Sequence, residues 1–139
     1  VEHRDSAGNA GRIGQDDVQW MTAGAGVVHE EKHEREFARR GGTLEAIQLW
    51  VNLPRALKMS PPAYQTLLKG DIPVVQLENG AGFVRVIAGE FRGIAGPART
   101  FTPVRLYDVG LTTGGGTHVT LPSGDNAAIP STTDWRTRS

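Results

Sequence analysis

Residues 26–36 read GVVHEEKHERE. Within them His29-Glu30-Glu31-Lys32-His33 matches H-E-x-x-H, the pattern in which two histidines one helical turn apart hold zinc and the glutamate serves as general base. Read as a helix, the stretch makes a metalloprotease; read as a strand, the same letters spell a different site. A zinc helix needs one face to bury, and Glu30, Glu31, Lys32, Glu34, Arg35 and Glu36 leave none. A Gly-Ala-Gly run and two β-branched valines directly before His29 favour extended backbone. The stretch is therefore read as a strand end carrying His29 and Glu31, followed by a charged surface loop with room for one helical turn.

Two residues apart on a strand, His29 and Glu31 share one face. Imidazole and carboxylate together are donors of non-haem iron and related centres, which keep coordination positions open. The pair supplies two donors only, and a solvated charged loop would present the same letters. Neighbouring sequence has to decide.

The rest of the chain argues for many short strands. Eighteen glycines and eight prolines punctuate short apolar runs across 139 residues, which predicts an all-β fold with helix as the minority state. Asp5-Ser6-Ala7-Gly8-Asn9 predicts a hairpin turn. DVQWMTAG at 17–24 predicts a strand, and the Gln15-Asp16 turn before it calls for a residue that tolerates positive φ. Ala46 to Leu53 gives the strongest strand pattern, with Ile47, Leu49, Val51 and Leu53 on one face and Gln48, Trp50 and Asn52 on the other. Trp20, Trp50 and Val51 are expected in the core or a cavity wall. Pro61-Pro62 predicts a short helix over Ala63 to Leu68, in a connector packed by Tyr64 and Leu67. Asn79-Gly80 marks a turn before the branched run GFVRVIAGEF, and Phe101 to Leu111 predicts another strand. From Pro130 onward, a loosely held tail is expected.

Composition excludes several functions. Fifteen basic and fifteen acidic side chains cancel, so no overall field draws the chain to nucleic acid or to an anionic membrane. There is no cysteine, hence no disulfide, thiolate metal site or cysteine nucleophile. No apolar run approaches the roughly 20 residues of a membrane helix, and no signal peptide opens the chain. A soluble, cytoplasmic protein is expected.

The words around His29 resemble the pirin family of two-cupin proteins. VEHRDSAGN at 1–9, DVQWMTAGAGVVH at 17–29, IQLWVNLP at 47–54, PAYQ at 62–65 and VIAGEFRGIAGPARTFTP at 86–103 follow in family order. The resemblance implies an antiparallel cupin β-barrel or jelly roll and a single iron, or similar divalent metal, held by three histidines and one glutamate. His29 and Glu31 fall on the later two ligands. The earlier two belong to a histidine-rich stretch that would precede residue 1, so the chain resembles a pirin shortened at its N-terminus and again near its C-terminus, as in a truncated or frameshifted reading frame.

On that resemblance, residues 1–56 are expected to be the later part of an N-terminal cupin and 57–98 a connector with intervening strands. Residues 99–139 would start a C-terminal cupin, with Leu121–Ile129 opening a strand. The implied activity is that of a metal-dependent quercetin 2,3-dioxygenase acting on a flavonol-like molecule. The alternative is a regulatory binding protein that contacts a protein partner, or an inactive remnant. No catalytic residue is assigned. His3, His33 and His118 are not spaced to complete the ligand set, His3 being expected as a structural or surface residue. Sheet edges left open by missing strands predict homo-oligomers.

Overall fold

The computed structural model describes residues 1–131. Its strands are β1 (Glu2–Asp5), β2 (Ala10–Arg12), β3 (Val18–Thr22), β4 (His29–Lys32), β5 (Ala63–Leu67), β6 (Val74–Gln76), β7 (Gly82–Ala88), β8 (Glu90–Phe91), β9 (Ile94–Ala95) and β10 (Leu106–Leu111), with one short helix, α1 (Arg35–Arg40). All pairings are antiparallel: β2-β1-β4, β10-β7-β6, β3-β5 and β8-β9.

β7 is the centre of the apolar packing because it is buried on both faces. Val84 and Val86 face one way, into a cluster with Leu77 and Phe91. Ile87 faces the other way and joins Leu67 and Ile72, against which Val18, Trp20, Ala98 and Leu106 pack. Alternation along β3 and β5 then divides their ribbon. Val18, Trp20 and Leu67 lie on the face toward Ile87, whereas Met21 and Tyr64, opposite one another in register, belong to the other face. That second face meets the β2-β1-β4 sheet through the stacked rings of Tyr64 and His3.

Local chemistry sets the turns that hold these layers in place. Asp5 accepts hydrogen bonds from the Ala7 and Asn9 amides and from the Asn9 side chain, which closes the β1–β2 hairpin as the sequence predicts. Ser6 exchanges two hydrogen bonds with Val28, so the chain enters β4 alongside β1. Asp16 takes φ 65°, as expected of the turn before β3, and its carbonyl accepts from the Arg85 guanidinium. In α1, Glu34 caps the first turn by accepting from the amides of Glu36 and Phe37.

Five expectations fail. Ala63–Leu67 is strand and not helix, because the alternation of Tyr64 and Thr66 against Gln65 and Leu67 finds a partner in β3; proline at the start of a helix also precedes many strands. Residues 46–53 form no regular element. Alternation qualifies a segment for a sheet, but a strand also needs a neighbour to pair with, and residues 46–53 pair with none of the described strands. Trp50 and Val51 are accordingly 86% and 57% exposed and not in a core. Residues 121–129 likewise form no strand, with Pro122 removing one ladder donor and Gly124 turning at φ 92°. Of the strand expected over 101–111, only Leu106–Leu111 forms. The tail expected to be loosely held lies, from residue 132, outside the described residues.

Candidate metal-ligand face

β4 carries the candidate ligands, and the helix reading of H-E-x-x-H is excluded by its strand geometry. His29 lies opposite Asp5, and Glu31 opposite His3. Residues paired across antiparallel strands project to the same side, so His3, Asp5, His29 and Glu31 share one face of the sheet, and Gly11, opposite His3 in β2, shares it too. Glu30 and Lys32 point the other way and pair with each other at 2.9 Å. Glu31 is exposed, while His29 is half-buried with an Nδ1 that has no hydrogen-bond partner.

His3 is 2% exposed, so of the two expected roles the surface one is excluded. Its ring is clamped. At its Cε1 edge a Cβ at Gly11 would come within 2.5 Å, which is why glycine stands there. Against one face Tyr64 stacks with centroids 4.3 Å apart and planes 16° from parallel. Both ring nitrogens of His3 and the Tyr64 hydroxyl are buried without a partner.

Charge and burial act on this pair in a consistent way. Burial lowers the pKa of His3, against the opposing pull of Asp5 and Glu31, which favours the neutral ring. Burial, followed by the negative charges of Glu31 and Asp5, pushes the Tyr64 phenol well above its ordinary value. The phenol therefore remains a donor.

The other histidines sit apart. His33 meets Phe37 edge-on at 5.7 Å in the charged loop, and His118 lines a cleft with Leu77, Arg92 and the Gly114–Gly116 run. Among the described residues no group of three His, Cys, Asp or Glu side chains could hold a metal ion. His29 and Glu31 therefore fit a divalent metal as two donors of a larger set and not as a complete centre. Sequence reasoning overlooked Tyr64 as a neighbour of this face; the alternation over 63–67, read as strand, would have found it.

Comparison with known proteins agrees with this architecture. The sequence profile of the family described as Pirin matches residues 1–51. A Pseudomonas aeruginosa protein named as a candidate quercetin 2,3-dioxygenase is 54% identical over 129 residues, covering 93% of this chain and 45% of that protein. Pirin-1 of Arabidopsis thaliana is 44% identical over 122 residues, covering 88% and 40% of the two chains. In three dimensions, the crystal structure of quercetin 2,3-dioxygenase from Acinetobacter baumannii superposes with a TM-score of 0.74 at 51% identity, over 78% of this chain and 38% of that one. The chain spans less than half the length of these relatives. Among the described residues no helix is long and apolar enough to cross a membrane. With its antiparallel strands, its short helix and these likenesses, the fold is an all-β cupin fold, and the chain is similar to pirin-family proteins over about nine tenths of its length.

Proposed function

We propose that this chain bears two ligands of a mononuclear divalent metal, His29 and Glu31, in a pirin-type cupin with quercetin 2,3-dioxygenase-type activity on a flavonol-like substrate. The single observation that carries the reading is the strand geometry of β4, which puts His29 and Glu31 on one face, opposite His3 and Asp5. The imidazole–carboxylate donor set suits iron among the common divalent metals. A metal bound there would supply a Lewis acid with open positions for substrate oxygen. Within the chain, β4 orients the two donors, and the clamped His3–Tyr64 wall excludes water behind them. The names of the Pseudomonas and Acinetobacter relatives support the substrate class.

Metal analysis after expression in iron-supplied medium tests the proposal. The wild-type chain should carry iron, and His29→Ala should weaken binding by about tenfold or more, as expected when one donor of a small set is removed. Equal metal content in the two would sink the metal reading. If metal-loaded protein then fails to turn over quercetin, the dioxygenase part alone is lost.

One observation favours a second reading, a regulatory binding module. Ile47, Leu49, Trp50 and Val51 are each more than half exposed within one short segment, and clustered exposed apolar side chains of this sort mark contact surfaces. A chain that binds no metal yet engages a protein through this segment would fit that reading.

A further inference from the structure

Six buried side-chain atoms among the described residues lack a hydrogen-bond partner, and all but Thr117 Oγ1 belong to His3, Gln19, His29 and Tyr64. Register places these four residues between the β3–β5 ribbon and the β2-β1-β4 sheet. Gln19 and Tyr64 lie on the ribbon face that meets His3, and His29 lies on the sheet face that carries His3. Buried polar atoms are nearly always paired in folded proteins, and an unpaired one costs free energy. Their concentration in one layer therefore marks where polar partners are required.

The donors in that layer are held still. Gly11 lies against the Cε1 edge of the His3 ring and Tyr64 stacks on its face, so its nitrogens are hindered from swinging to partners elsewhere. Glu31 is directly opposite His3 in the ladder, and paired residues of this kind have Cβ atoms about 5 Å apart, within reach of an imidazole-to-carboxylate hydrogen bond. The Glu31 carboxylate makes no hydrogen bond or ion pair with any described residue.

We propose that His3 and Tyr64 are positioning residues for Glu31, offering its carboxylate the hydrogen-bond donors that both now hold without a partner and so fixing which of its rotamers presents an oxygen to a metal. The proposal rests on the metal reading of His29 and Glu31. It adds two residues from separate strands that the ligand pattern does not contain. Metal ligands are commonly oriented by such partners, whose loss weakens binding by 10- to 100-fold as an order of magnitude.

The test is a Co²⁺ titration of the whole chain followed by visible absorption, with melting of the metal-free protein measured alongside. Tyr64→Phe keeps the stacked ring and removes one hydroxyl; His3→Phe keeps an aromatic ring and removes both nitrogens; His3→Gln restores a donor. Tyr64→Phe and His3→Phe should each weaken Co²⁺ binding about tenfold and alter the absorption bands, with metal-free melting unchanged or raised. His3→Gln should bind more tightly than His3→Phe. If His3→Phe does not fold, Tyr64→Phe alone decides. Wild-type affinity and spectrum in Tyr64→Phe overturn the positioning role, as does weakened binding that merely follows a lowered melting temperature. His29→Ala separates the two levels: when it abolishes binding and Tyr64→Phe does not, only the positioning role falls. When the wild type binds no Co²⁺, or His29→Ala binds as the wild type does, the metal reading falls and takes this inference with it.

Discussion

Phe91→Ala is expected to destabilise the chain by about 3–5 kcal/mol, the cost of deleting a buried aromatic ring and leaving a cavity. Phe91 is 5% exposed and closes the cluster of Leu77, Val84 and Val86. Its ring also meets Tyr107 edge-on at 5.7 Å, and the Arg92 guanidinium lies 5.4 Å from its centroid. Tyr107 is tethered by its hydroxyl to the Glu90 carbonyl at 2.5 Å, so it cannot tilt freely into the space that Phe91 would vacate. Domains of this size are stable by only about 5–15 kcal/mol. Urea unfolding should therefore show a large drop in midpoint; a cost below about 1.5 kcal/mol would mean that the cluster collapses to fill the void.

Arg85 supplies the second large effect. It sits in β7 between two fully buried valines with its side chain 10% exposed. Its guanidinium donates to Asp108 on β10 at 2.9 Å and to the carbonyl of Asp16, joining the central sheet to the turn that starts β3. Arg85→Ala removes charge-assisted hydrogen bonds worth about 1.5–3 kcal/mol and the packing of a long aliphatic stem, for an expected loss of about 2–4 kcal/mol. Asp108→Asn should cost less than about 1 kcal/mol, because Asp108 is 52% exposed and solvent screens the pair. Urea midpoints of the two variants check the order. Equal costs would show that the ion pair, and not the tie to Asp16, holds the sheet to the turn.

The parts of the fold that were legible in the sequence are those where local chemistry decides. Asp5 to Asn9 carries its own acceptors for a hairpin turn, Asn79 adopts φ 55° before β7 as an Asn-Gly turn asks, and the charge pattern around His29 rules out a buried helix. The failures occur where a distant partner decides. Ile47 to Leu53 alternates as a strand should, yet a ladder needs a second chain segment that no local pattern reveals. Residues 63–67 carry both a proline-led helix signal and a weak alternation, and β3 selects the strand. The same limit applies to the candidate site. His29 and Glu31 stand two residues apart on one strand, whereas the His3–Tyr64 stack joins β1 to β5 and is visible only after both strands have found their places.

The layer order has a dynamic consequence. No residue of β1, β2 or β4 belongs to either buried apolar cluster; this sheet meets the rest of the fold through the His3–Tyr64 stack, and the segment leading into β4 is tied to the connector before β5 by the Ala25 amide donating to the Ser60 carbonyl. Units with little apolar burial open locally at far lower free energy than the core. Amide hydrogen exchange should therefore be fast across His29–Lys32 and slow across Val84–Ala88, and a bound divalent ion should slow the first set selectively. The ligand-bearing sheet would then be a separately melting unit, ordered by its cargo, with β7 as the permanent anchor to which it returns.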